Sequence, residues 1–469
     1  MSIATIAGMV TAIALIVGLA IYTGAKKKDG KKGGISSAVV AGLIMGTLAG
    51  GSSTVGTAQL AYTYGMSAWW FTLGGGISCL VLAIIYVKPM RRSGSGTLVG
   101  MIGSEYGHSA GLAASVLNSV GTFINILAQL LAASTVVLVV LPQFSAGWAI
   151  ALSALLMVLY VVFGGAKGAG IVGILKLCLL YVSMILCGVL ALRLLGGMPG
   201  LKSAAEDYTS ATGRSFFNLF NRGFGTDLGA CISLVLGVLT TQTYAQAIMS
   251  AHSDRDARIG AVISAVLIPP IGILGIVVGL YMRTVTDPAV FTAKTALTRF
   301  ILDYSGLPGA VSGILLGTLL ITSVGTGAGL ALGIAAIIRR DILGGRTKKL
   351  SQGFTEKLII VAVLALAAIF SVVVPSETIL QFSFMSMGLR GCTVFAPLCF
   401  VIWAKGKVAP KYAVLSITVG SGVALLLGLM NLFGVLSLPC DAVFPGVAVG
   451  LAFMFTGLLL GGNRRELHI

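Results

Sequence analysis

Leu48-Ala49-Gly50-Gly51-Ser52-Ser53-Thr54-Val55-Gly56-Thr57-Ala58-Gln59 lies inside a run, 37–64, that is otherwise apolar enough to cross a membrane. A simple span would be aliphatic there. Here glycines, hydroxyls and the Gln59 amide cluster instead. Such a segment can unwind, which frees carbonyls for a cation and amides for a solute. Close helix packing by small residues is the bland account, but it has no use for Gln59 or so many hydroxyls.

The signature returns five spans later, at Gly237-Val238-Leu239-Thr240-Thr241-Gln242-Thr243-Tyr244-Ala245-Gln246. Paired interruptions at matching positions point to inverted repeats with a binding site near mid-membrane. The expected fold is therefore all-α and polytopic, with about thirteen transmembrane helices by windows of about 20 apolar residues. Its core would be two inverted five-helix repeats. The divisions are 1–36, a leading span and cytoplasmic loop; 37–196, the first repeat (spans 2–6); 197–226, an external loop; 227–404, the second repeat (spans 7–11); and 405–469, two trailing spans.

Composition agrees. The 469 residues are 57% hydrophobic and 10% charged, with a mean hydropathy of +1.02. The leading run Ile3–Tyr22 has no basic leader or small-residue cleavage site and is read as a retained span. The net charge of +17 does not signal nucleic acid, because the basic residues concentrate in alternate loops. One set holds the Lys26–Lys32 cluster, Arg91, Arg92, Arg255, Arg258, Arg339, Arg340, Lys348, Lys349, Lys405 and Arg464. The other holds mainly Lys202, Arg214, Arg222, Lys294 and Arg299. By the positive-inside rule the first set is cytoplasmic. The N-terminus is then outside and the C-terminus inside, in the cell membrane. The 7 cysteines are scattered and form neither a metal spacing nor a disulfide framework. His108, His252 and His468 assemble no evident catalytic group, so an enzyme is not expected.

Three further features could carry chemistry. In the ninth span, Thr322, Gly325 and Thr326 share a face, and Ser323 stands beside them. Oxygens there suit a hard cation; the competing account is hydroxyls bonding back to their own helix. Arg390 lies mid-span in Met385-Ser386-Met387-Gly388-Leu389-Arg390-Gly391-Cys392, where a guanidinium suits a carboxylate or the carbonyls of a broken helix. Lys176 stands in the strongly apolar Ile171–Leu195. A lysine in lipid is expensive, so it faces a cavity, a partner or a water path, or else snorkels from its position about 9 Å into the span. The solute is expected to meet Thr57, Gln59, Thr240, Thr241, Gln242 and Arg390.

Together these segments resemble the sodium/solute symporter family. The resemblance is carried by Gly50–Gly65 (GGSSTVGTAQLAYTYG), Gly164-Gly165-Ala166-Lys167-Gly168-Ala169, Gln242–Arg258 (QTYAQAIMSAHSDRDAR), Arg340-Asp341-Ile342 and Gly388–Pro397 (GLRGCTVFAP), in the family order. It implies a leucine-transporter-like core and transport of a small polar solute by alternating access. It also implies a sodium site between the second and ninth spans, with Gly51, Thr54, Thr322 and Thr326 as ligands. Two departures stand out. The family's hydroxyl pair falls on Gly325 and Thr326, so one ligand is missing. A family acid falls on Gly173, and Lys176 follows three residues later. In some transporters of this fold a lysine fills the sodium position. Lys176 is thus expected either to replace sodium or to sit peripherally in a conventional sodium symporter. Proton-coupled or sodium-independent transport stands as the alternative to sodium coupling. No nucleic acid and no obligate protein partner is expected beside the solute and the lipid bilayer. A transporter-like sensor is the competing class, and a channel would need a continuous polar path.

Overall fold

The computed structural model describes residues 2–25, 34–94, 96–164, 169–339, 343, 352–373 and 379–461. Lys26–Lys32, the centre of the Gly164–Ala169 motif, Arg340-Asp341-Ile342, Lys348 and the tail bearing Arg464 and His468 lie outside them.

Long apolar segments satisfy their backbone groups internally as helices. In chain order they are α1 Ile3–Ala25, α2 Ser37–Leu48, α3 Thr57–Tyr64, α4 Trp70–Val81, α5 His108–Val140, α6 Ala146–Gly164, α7 Ala169–Leu194 and α8 Phe224–Leu239. There follow α9 Gln242–Met249, α10 Asp254–Val285, α11 Gly309–Ile337, α12 Gln352–Val373, α13 Ile379–Trp403, α14 Pro410–Leu432 and α15 Val443–Gly461. No strand occurs among the described residues; Ile35 and Ala251 form one isolated bridge. Nine described helical segments are long and apolar enough to cross a membrane, or ten if the bent pair α8–α9 is one span. Ile3–Gly18, Ser37–Leu48 and Ala146–Val161 are apolar but shorter. Length and composition thus support a many-span protein without yielding the count of thirteen.

Both sequence interruptions are breaks. α2 stops at Ala49, whose φ of −84° and ψ of 93° are extended. The chain re-enters through a wide π turn, Ser52–Gly56, before α3. Glycine permits this: a Cβ on Gly51 would lie 2.3 Å from the Ala132 side chain. In the second break, Thr240 and Thr241 leave helical geometry and α8 bends by 46° into α9.

α5 is the central post, buried along nearly its whole apolar length, whereas α12 is largely exposed. A central helix can carry polar side chains because they meet protein rather than lipid. Asn118, Asn125 and Gln129 on α5 are all buried. The leading helix α1 packs on α11 through small residues. A Cβ on Gly313 would stand 2.0 Å from the Thr5 carbonyl oxygen, so only glycine allows that approach.

Candidate functional site

The structure brings Lys176 to the break region. α7 approaches α2 at Gly173, where a Cβ would lie 2.5 Å from the Gly42 carbonyl oxygen. That close approach lets the side chain reach across. Its Nζ donates to the Gly46 carbonyl at 2.6 Å and to Thr326 Oγ1 at 2.7 Å. Lys176 is 3% exposed, so it does not snorkel. Thr326 Oγ1 in turn donates to the Thr322 carbonyl at 3.0 Å, and Ser323 Oγ donates to the Leu319 carbonyl. Back-bonding to the helix is therefore real, yet Thr326 still accepts the ammonium. Thr322 Oγ1 is buried and has no hydrogen-bond partner.

Other expected cation ligands are placed elsewhere. The Gly51 N–H donates to Gln129 Oε1 at 2.9 Å, and Thr54 Oγ1 donates to the Gly50 carbonyl at 3.0 Å. Neither residue bonds Lys176; the carbonyl that does is Gly46, one turn earlier, which sequence reasoning missed. Gly325 leaves open space, with Tyr160 at 3.5 Å and Lys176 Cδ at 3.8 Å from an added Cβ. A sodium ion needs several free oxygens. With the ammonium on the Gly46 carbonyl and Thr326 Oγ1, and no side-chain oxygen at Gly325, fewer oxygens are free for such an ion at this point.

The second break meets α13. Arg390 is 1% exposed. Its Nη1 donates to Thr241 Oγ1 at 2.8 Å, its Nε to the Ser386 carbonyl at 3.3 Å, and its Nη2 to the Met387 sulfur at 2.8 Å. Thr240 bonds back to the Leu236 carbonyl, and Thr57 reaches only the Ser52 carbonyl at 3.4 Å. Gln59 Oε1 accepts from the N–H of Ile379, at the start of α13. Gln242 points away from Arg390 in its bonding: its Oε1 accepts from Leu98 N at 2.9 Å and its Nε2 donates to the Gly96 carbonyl. It therefore holds the short helix Leu98–Tyr106 rather than the break.

Sequence reasoning missed a buried network beside the first break. Gln129 Nε2 donates to Ser52 Oγ at 3.0 Å, Ser52 and Ser383 share a bond at 2.6 Å, and Ser383 Oγ donates to Asn125 Oδ1 at 3.3 Å. The signal was present: Asn125 and Gln129 are four apart in an apolar helix and so share a face.

A cavity of about 380 Å³ opens at the end of the fold formed by Tyr64, Arg214, Arg222 and Asp441. Phe384, Met385, Gly388 and Leu389 of α13 also line it, which puts its wall next to Arg390. Arg222 is paired with Asp227 at 2.6 Å. Burial raises the Asp441 carboxyl above its ordinary range, against the opposing Val443 N–H bond and Arg222 charge. Toward the opposite end, Arg91 binds Asp254 at 2.7 Å, the carbonyl of Ile248 in the last turn of α9 and the carbonyl of Ala251 just after it. No group of three His, Cys, Asp or Glu able to hold a metal occurs among the described residues.

Known proteins share this architecture. The profile of a family described as the sodium:solute symporter family matches residues 31–420. A monocarboxylic acid transporter of Corynebacterium glutamicum is 21% identical over 438 residues, covering 87% of this chain and 77% of that protein. A sodium-coupled sialic acid symporter, solved substrate-bound and outward-open, aligns over 98% of this chain and 97% of its own, with a TM-score of 0.77 and 16% identity. MHP1, a nucleobase-cation-symport-1 family transporter solved in a closed conformation, aligns over 93% and 95%, with a TM-score of 0.56 and 11% identity. At these identities the two structures speak to the fold.

Proposed function

The chain belongs to the sodium:solute symporter family, and on that premise we propose that it imports a small polar solute by alternating access, with the Lys176 ammonium standing in the cation site. It is an integral membrane protein with a transporter's fold. The observation that carries the proposal is the pair of bonds from Lys176 Nζ to Gly46 and Thr326, which ties α7 to α2 and α11. A tethered charge supplies what a bound cation would: it holds the broken helix against α11 from within the chain. Wild-type transport then depends little on sodium.

The proposal extends to organisation. Residues 37–196 and 227–404 act as the two repeats, and the breaks at Ala49–Gly51 and Thr240–Thr241 face the solute. Thr241 and Arg390 contact it, with the Gln129–Ser52–Ser383 network behind them. The relative named for monocarboxylic acids supports a small polar cargo. The basic loops are cytoplasmic in the cell membrane, the N-terminus is outside, and the 380 Å³ cavity opens outward.

The test is uptake into proteoliposomes with imposed sodium or proton gradients, after a thermal-stability screen of amino acids, sugars, vitamins and carboxylates in sodium or choline chloride. Solute-dependent stabilisation and uptake are expected in both salts. Strict sodium coupling with Lys176 intact would sink the replacement reading and restore a conventional sodium symporter.

A further inference from the structure

Among the described residues, three charged side chains are buried: Lys176, Asp227 and Arg390. Asp227 is neutralised by Arg222 at 2.6 Å. Among the described residues the two remaining cations therefore face no buried anion. Lys176 is accounted for by its proposed place in the cation site. Arg390, proposed above to meet the solute, still lacks an anion.

A guanidinium carries five N–H donors in a planar fork. Arg390 shows three bonds, one each from Nε, Nη1 and Nη2. One acceptor is the thioether of Met387, a weak acceptor on a flexible side chain. A buried charge held by neutral groups alone carries an uncompensated desolvation penalty. A carboxylate meets that deficit, because its two oxygens match the fork. The thioether occupies the place such an oxygen would take.

The approach has the same sign. Gly388 and Leu389, directly before Arg390 in the chain, line the outer cavity with Arg214. Arg214 is exposed, lies over the Tyr64 ring at 5.4 Å, and has no carboxylate within ion-pair distance among the described residues. The positive-inside rule gives no reason for arginine on this side. Asp441 is the opposing charge in the cavity wall, and burial raises its carboxyl above the ordinary carboxylate range.

We propose that the carried solute is a small carboxylate anion, drawn into the outer cavity past Arg214 and paired with the fork of Arg390 in place of the Met387 thioether. This assignment rests on the transporter reading and names its substrate class. Solutes of the same shape without the charge are rejected, because they leave Arg390 unpaired.

The experiment uses the full chain in proteoliposomes, with radiolabelled propionate, proline and glucose as separate solutes. Acetate, pyruvate and the uncharged isostere propionamide serve as competitors. Propionate is taken up, acetate and pyruvate compete, and propionamide does not. Arg390→Gln weakens apparent affinity for propionate by about tenfold to a hundredfold while thermal unfolding shows a folded protein; Arg390→Lys falls between. Arg214→Gln slows initial uptake severalfold at an ionic strength of about 0.01 M, and Asp441→Asn speeds it. Both effects vanish near 1 M, where charges are screened within about 3 Å. Uptake of proline or glucose but of no acid overturns the anion assignment and leaves the transporter reading standing. So does an Arg390→Gln protein that carries propionate as well as the wild type. Folded protein that moves no solute in the panel under any gradient overturns both.

Discussion

If Lys176 stands in for a cation, removing it and restoring the missing oxygen should return the site to sodium. The perturbation is Lys176→Ala alone and combined with Gly325→Ser. In the wild type, a sodium ion about 4 Å from the ammonium would be repelled by about 4 kcal/mol at an effective dielectric of 20, or about a thousandfold in occupancy. Removing Lys176 lifts that repulsion and uncovers the Gly46 carbonyl and Thr326 Oγ1. Thr322 Oγ1 is nearby on the same helix face and has no partner to give up. At Gly325 a new Cβ would meet only Tyr160 at 3.5 Å and Lys176 Cδ at 3.8 Å, and the second contact disappears in the double variant. A serine therefore fits and adds an oxygen. Stability should change little: two charge-assisted bonds of about 1.5–3 kcal/mol each are lost, but several kcal/mol of ammonium desolvation is relieved. Sodium titration of thermal stability, then uptake in sodium against choline, reads the outcome. The single variant should transport poorly. The double variant should show sodium stabilisation and at least about tenfold stimulation absent from the wild type. A wild type stabilised by sodium at millimolar levels, with a double variant no more responsive, would refute the reasoning.

Other consequences follow from the same contacts. Gly173→Ala should push α7 off α2, since its Cβ would sit 2.5 Å from the Gly42 oxygen; a loss of about 1–3 kcal/mol, seen as a lower melting temperature with impaired uptake, is expected, and an unchanged protein would show that this approach is loose. Gln242→Ala should leave the buried Leu98 N–H without its side-chain acceptor and lower stability by about 1–3 kcal/mol with solute affinity unchanged; the reverse pattern would make Gln242 a solute ligand after all. Arg91→Gln should loosen the end that carries it, because its guanidinium holds Asp254 and the carbonyls of Ile248 in α9 and Ala251 after it; a cysteine at position 251, in a background otherwise free of cysteine, should label severalfold faster, and equal labelling would refute the latch. Cysteines replacing Lys31 and Lys348 should label only with membrane-permeant reagents; ready labelling from outside would overturn the proposed orientation.

The breaks were readable from sequence because unwinding needs residues that a lipid-facing helix avoids. Glycines and hydroxyls at 50–57 and 237–243 announce themselves against an aliphatic background. Which atoms meet was harder. Gln59 and Gln242 look like solute ligands because both adjoin a break, yet their oxygens accept from backbone N–H groups at the starts of neighbouring helices. Such partners come from chain segments 320 and 144 residues away and leave no mark at the glutamine itself. Gly46 was invisible for a related reason. Any residue has a carbonyl, so what makes this one a ligand is the nearness of α7, and that is set by a glycine on a different helix.

Three departures from the family pattern then become parts of one arrangement. On the correspondence that the family resemblance implies, the family acid falls on Gly173, a position with no room for any side chain, because α7 touches α2 there. Loss of the acid and close approach are thus a single change. Only with that approach can an amine three residues later reach the Gly46 carbonyl. At Gly325 the missing hydroxyl is a lost oxygen rather than needed room, since an added Cβ would make ordinary contacts with Tyr160 at 3.5 Å and the Lys176 stem at 3.8 Å. Gly173 must be small for that reach; Gly325 need not be. A chain that kept the lysine but carried Asp at 173 would have to separate α7 from α2, and the carboxylate would compete with Gly46 for the ammonium. Lys176 and Gly173 are therefore expected to be exchangeable only together, while the paired variants at 176 and 325 test whether the lost oxygen is what the lysine replaces.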